Sequence, residues 1–147
     1  MAPHFFVEDM TVAAIAEART AYASTDLRSR LARWHSNVDI AFRGWNDVWL
    51  EPAFKQWDIR EYLSYIRVPV QIIQGVDDQY GTTRQIEAAE AECMSPVEVA
   101  LLPGVRHSPH REAAAETIAV IATFVRDVMP MRDVMGVHPR TEPAAGR

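Results

Sequence analysis

No disulfide can form within this chain, because Cys93 is its only cysteine. That usage suits a reducing compartment, and a cytoplasmic location is the expectation. Positive charge is also scarce: 15 Lys and Arg stand against 20 Asp and Glu, a net charge of −5. Phosphate binding needs a concentrated basic face, so no nucleic-acid partner is expected. Long hydrophobic runs are missing as well. The strongest, TIAVIATFV at 117–125, is too short to cross a bilayer, so no membrane partner is expected either. The opening MAPHFFVEDM lacks the basic stretch and apolar core of a signal peptide. No internal repeats are visible.

What is present suffices for one ordinary domain. Of the 147 residues 48% are hydrophobic and 24% charged, a balance that allows a core to form. Residues 9–66 read as helices rich in aromatics. In TVAAIAEARTAY, Val12, Ile15, Ala16, Arg19 and Tyr22 share one helical face, and DLRSRLARWH does the same with Leu27, Leu31 and Trp34. NVDIAFRGWNDVWL aligns Val38, Phe42, Trp45 and Trp49 at steps of four, three and four. Pro52 marks a break, and DIREYLSYI reads as one more short helix.

From residue 68 the period changes. VPVQIIQG is a β-branched run closed by Gly75, and PVEVALLPG is a second strand, opened by Pro96 and closed by Pro103-Gly104. Between them, Thr82 and Gln85 have the spacing of a capping box, which predicts a helix from there. Cys93 falls on that helix with Ile86 and Ala89 and reads as a small buried hydrophobe. Ser108 and Pro109 suit the N-cap and first position of a last helix, with Ala114, Ile118, Ile121, Phe124, Val125 and Val128 as its buried stripe. Residues 130–147 read as a disordered or loosely attached tail. The fold class is α/β: two parallel strands, or three if HFFVE adds a stub, flanked by helices. So small a parallel sheet is a poor independent fold and looks like one end of a larger one.

Both strands end in residues suited to proton transfer. GVDDQYG places Asp77 and Asp78 after the first strand, and LLPGVRHSPHRE places His107 after the second. Adjacent parallel strands lie about 4.8 Å apart, so the two loops can bring a carboxylate to an imidazole. Such a carboxylate fixes the tautomer and stabilises the imidazolium that forms when the other ring nitrogen takes a proton. His107-x-x-His110 has a spacing loosely like a metal pair, but no third ligand recurs at a matching interval, and His110 reads as part of the last helix's first turn. Glu112 there favours the helix dipole.

Strand, G-x-x-D, helix, strand, G-x-x-H, helix resembles the C-terminal part of an α/β-hydrolase, with Asp78 three residues after Gly75 and His107 three after Gly104. VPVQIIQGVDDQYGT and LPGVRHSPHRE are similar to the subgroup containing carbon–carbon bond hydrolases and esterases. The resemblance implies a partial α/β-hydrolase fold in three parts: the end of a core strand and a helical cap at 1–66, a β-α-β-α core at 67–129, and the tail. It implies Asp78 and His107 as acid and histidine of a triad, with Asp77 as the competing acid. It implies no metal and no organic cofactor, and a small apolar ester or related carbonyl compound as substrate of the complete enzyme. Phe42, Trp45 and Trp49 are the packing face of a cap helix, and part of that stripe is a candidate roof for the substrate pocket.

The nucleophile departs from the pattern. None of Ser24, Ser29, Ser36, Ser64, Ser95 and Ser108 lies in a G-x-S-x-G elbow. The expectation is therefore a C-terminal fragment, inactive alone, that begins just beyond the nucleophile strand. The alternative is a non-catalytic fragment that associates with a complementary chain, or with itself, through the unpaired edge of the first strand.

Overall fold

The computed structural model describes residues 1–134. Its helical first part comprises α1 (Asp9–Ser24), α2 (Leu27–Leu31) and α3 (Val38–Leu50), followed by 3-10 turns at Pro52–Gln56 and Arg60–Tyr65. The second part runs β1 (Val70–Gly75), α4 (Arg84–Glu92), β2 (Val97–Leu102), α5 (Pro109–Glu112) and α6 (Ala114–Val134). The strands pair in parallel, from Val70 opposite Val97 to Gly75 opposite Leu102. This is a partial α/β fold.

The two strands are not equivalent. Ile72, Ile73, Gln74 and Gly75 of β1 are buried, whereas Glu98 and Leu101 of β2 are exposed. On one face of the sheet Ile72 packs with Leu63, Ile86 and Ala89. Alternation along the strand turns Gln71 to the other face, where its amide donates to the carbonyl of Val120 in α6 (3.2 Å).

HFFVE adds no third strand to the sheet. Phe6 forms an isolated antiparallel bridge with Asp58, and the Ala2 N–H, just before that segment, donates to the Ile73 carbonyl of β1 (2.9 Å). The side chain of Gln85 replaces a strand partner: its carbonyl accepts from the Phe5 N–H (2.8 Å) and its amide donates to the Phe6 carbonyl (3.1 Å). Gln85 therefore cannot close a capping box with Thr82. Glu8, from the N-terminal segment, accepts the Thr82 N–H (3.1 Å) instead.

Several expected faces are rotated or shortened. In α1 the buried positions are Thr11 and Ile15, with Ala16 and Arg19 exposed. The cause is Asn46 of α3, fully buried between the helices, which donates to the Ile15 carbonyl (2.9 Å) and accepts from Arg19 (2.8 Å). Helix α2 stops at Leu31, leaving Trp34 82% exposed. DIREYLSYI forms a 3-10 turn, and Cys93 is the half-buried C-cap of α4 instead of an interior position. Along α6 the row at Thr117, Val120, Phe124 and Val128 is buried or half-buried, whereas Ile118, Ile121 and Val125 of the expected stripe are exposed. The helix also continues to Val134, into the start of the expected tail, whose remainder lies outside the described residues.

Candidate functional site

Gly75 closes β1 because nothing larger fits. A Cβ there would overlap the backbone carbonyl oxygens of Val105 and Arg106. The loop after β2 thus lies directly on the end of β1, fastened by N–H bonds from Val76 to Leu102 and from Asp77 to Val105 (3.0 Å each). Gly104 turns that loop with a φ of 72°, the left-handed region glycine occupies freely. Asp78 and His107 meet as a result. His107 Nδ1 lies 3.0 Å from both carboxylate oxygens of Asp78. The carboxylate is buried, with 2% of its side chain exposed, whereas the imidazole is 33% exposed. Asp77 is exposed, and its carboxylate takes no part in the contact.

An ionised carboxylate only accepts hydrogen bonds, so Nδ1 is the donor, and in a neutral imidazole that makes Nε2 the acceptor. Burial acts to raise the Asp78 pKa. The hydrogen bond from His107 and backbone N–H groups of Tyr80 and Gly81 outweigh it and hold the carboxyl below its ordinary value. The Tyr80 N–H donates at 2.8 Å.

Both loops are anchored from outside. Glu112 of α5 accepts the N–H groups of Arg106 and Ser108 (3.0 Å each), bracketing His107. Ser108 is the N-cap, as expected, but its side chain makes no capping bond. Glu8 is buried and accepts from the Thr82 N–H, the Thr82 hydroxyl (2.6 Å) and the Gln85 amide (2.9 Å). Its burial opposes ionisation, but the bonds from Thr82 and Gln85, with Arg84 nearby, hold its pKa below the ordinary value. The Thr11 hydroxyl donates to the Tyr80 carbonyl, tying α1 to the same loop.

A cavity of about 270 Å³ opens beside His107, walled by His4, Ile15, Trp45, Trp49 and Tyr80, with Thr11 at its edge. Trp45 and Trp49 are thus brought to the site. Phe42 is not: it is buried one turn away, stacked on Tyr22 with ring centroids 3.8 Å apart. His4 packs edge-on to Trp49 (5.3 Å) and lies 5.8 Å from the His107 ring. Burial first, then His107, lowers the His4 pKa despite the opposing pull of Asp78 and Glu8. His4 therefore stays neutral near pH 7. A wider depression of about 650 Å³, lined by Asp47, Glu51, Phe54 and Trp57 among others, contains neither Asp78 nor His107.

His4, Glu8, Thr11 and Tyr80 escaped the sequence reading. Tyr80 had a signal, standing two residues after Asp78, the spacing at which a carboxylate accepts a backbone N–H. The others reach the site from the far end of the chain, and no local pattern marks them. His110 is exposed on α5. No group of three or more His, Cys, Asp and Glu that could hold a metal ion occurs among the described residues. Neither the family models nor the curated proteins compared with the chain match it. No helix among the described residues is long and apolar enough to cross a membrane.

Proposed function

We propose that the chain supplies the proton-transfer half of a serine-type α/β-hydrolase site. His107 acts as general base and then general acid, and Asp78 orients it and stabilises the imidazolium. The observation that carries this reading is the contact of Nδ1 of His107, a residue that also lines an aromatic-walled cavity, with a buried carboxylate. The substrate is a small apolar ester or related carbonyl compound, whose carbonyl carbon is attacked by a serine outside this sequence.

Hydrolysis by this polypeptide alone should be negligible, since loss of the nucleophile from a triad costs about 10⁶ in turnover. The test pairs the chain with a polypeptide bearing a G-x-S-x-G elbow, sought first in the coding sequence just upstream. Ester hydrolysis that requires both chains and is abolished by His107→Gln supports the reading. Hydrolysis by the chain alone, or one indifferent to His107→Gln, overturns it.

A second reading, association without catalysis, is favoured by exposed apolar residues. Ile118 is 66% exposed on α6, and Leu101 is exposed on β2. Under that reading the mixed chains assemble but show no His107-dependent turnover.

A further inference from the structure

Beside the cavity at His107 lies an apolar groove of about 350 Å³ enclosed by α1, α2 and α3, with Leu27, Leu31, Val38 and Phe42 in its walls. Trp45 and Tyr80 line both spaces. They meet edge to face, 6.4 Å between ring centroids. The Tyr80 ring in turn stands edge-on to His107 at 4.9 Å, and Trp45 edge-on to Phe42 at 5.7 Å. An unbroken series of ring contacts therefore leads from the imidazole into the groove.

We infer that Trp45 and Tyr80 form a shared wall between two subsites of one ligand, with the reacting carbonyl at His107 and an apolar tail in the groove under α2. The inference rests on the reading of His107 as the proton-transfer group and adds what selects the substrate. Three observations support it. The cavity at His107 alone is smaller than the usual pocket for a drug-sized ligand, about 300–1,000 Å³, and the adjoining groove supplies the missing room. The groove's named walls are aliphatic and aromatic, with the exposed His35 at its margin, so it favours hydrocarbon over a charged group. Tyr80 also belongs to the loop that fixes Asp78, through its own N–H. A tail pressed against its ring therefore touches the element that sets the acid–histidine geometry.

The test titrates the chain with methyl esters of straight-chain acids, from acetate to octanoate. Histidine ring resonances report the carbonyl end, and calorimetry reports affinity. Wild type should bind with a shift at His107 and an affinity rising about fourfold per methylene, as for buried hydrocarbon, until the groove is full. Leu31→Trp, which fills the groove from its rim, should flatten that rise and weaken octanoate binding at least about tenfold. Leu27→Trp serves the same purpose if Leu31→Trp lacks the wild-type thermal transition. Affinity independent of chain length, with His107 still shifted, overturns the two-subsite inference and leaves the proposed role of His107 standing. Chain-length dependence without any His107 shift, or no binding by any ester, overturns both.

Discussion

At the carboxyl end of the sheet, Glu8, Asp78, Gln85 and Glu112 each make two or more hydrogen bonds. Along the outer face of α6, by contrast, Ile118, Ile121, Val125 and Met129 stand in solvent. One region is polar and densely hydrogen-bonded; the other is apolar and exposed. The acid–histidine pair thus owes its geometry to short polar contacts among the N-terminal segment and the two strand-end loops. It does not depend on anything packed over α6. A site of this kind can be assembled on a two-stranded sheet, because its partners lie within a few residues of the strand ends or in one anchored segment.

The sharpest way to break the ordered end is Gly75→Ala. The added methyl would meet backbone carbonyls, which cannot rotate away as a side chain could. Either the loop carrying His107 lifts off or the strand end shifts. Urea denaturation should show a loss of about 3 kcal/mol, and the Nδ1–Asp78 contact should be lost from the His107 ring resonances. An unchanged unfolding midpoint would mean that the loop does not rest on β1.

Glu8→Gln should rank next. It removes the charge from three hydrogen bonds in a buried site and should cost about 2 kcal/mol at pH 7. The pH dependence follows from two signs. Glu8 and Asp78 are held below their ordinary values of 4.5 and 3.8. Their contribution is complete above those values and is lost as pH falls through the lower folded values. His4 is also held below its ordinary 6.5, so the unfolded chain takes up that proton first. Stability should therefore start to decline below about pH 6.5 and fall again below about pH 4.5. His4→Gln should remove the first decline alone, and the gap between wild type and Glu8→Gln should close only in the second. Stability that is flat between pH 7 and 5 would show that His4 is not buried neutral.

The contrast between the two regions also explains what could be read from the residues. Asp78 and His107 were legible because each follows its strand by a fixed short interval, and parallel pairing then leaves little freedom in where they meet. Strand order and the division between helical and β-α-β-α parts were legible for the same reason: both are written in local period. Glu8, Gln85 and Asn46 were not, because each replaces an expected local contact by one from 27 or more residues away. The Thr82–Gln85 spacing shows the effect plainly. It signalled the start of α4 close to the right place, yet the bond that serves Thr82 comes from Glu8, 74 residues distant. The stripe on α6 was misplaced because the helix has apolar residues all round, and periodicity cannot decide which side meets the sheet.

That last ambiguity yields the smallest expected effect. If the outer face of α6 is as free in solution as in the structure, Ile118→Ser and Val125→Ser should each change stability by no more than about 0.5 kcal/mol, since both side chains are largely hydrated already. Phe124→Ala, on the half-buried row facing the sheet, should cost about 2 kcal/mol. The pair of measurements reads the orientation of the helix without reference to chemistry at the site. Should Ile118→Ser cost as much as Phe124→Ala, the outer face is covered by another polypeptide, and sedimentation of wild type against Ile118→Ser would tell whether that cover is a second copy of the chain. A near-zero effect would instead show that the apolar side of α6 is tolerated in water.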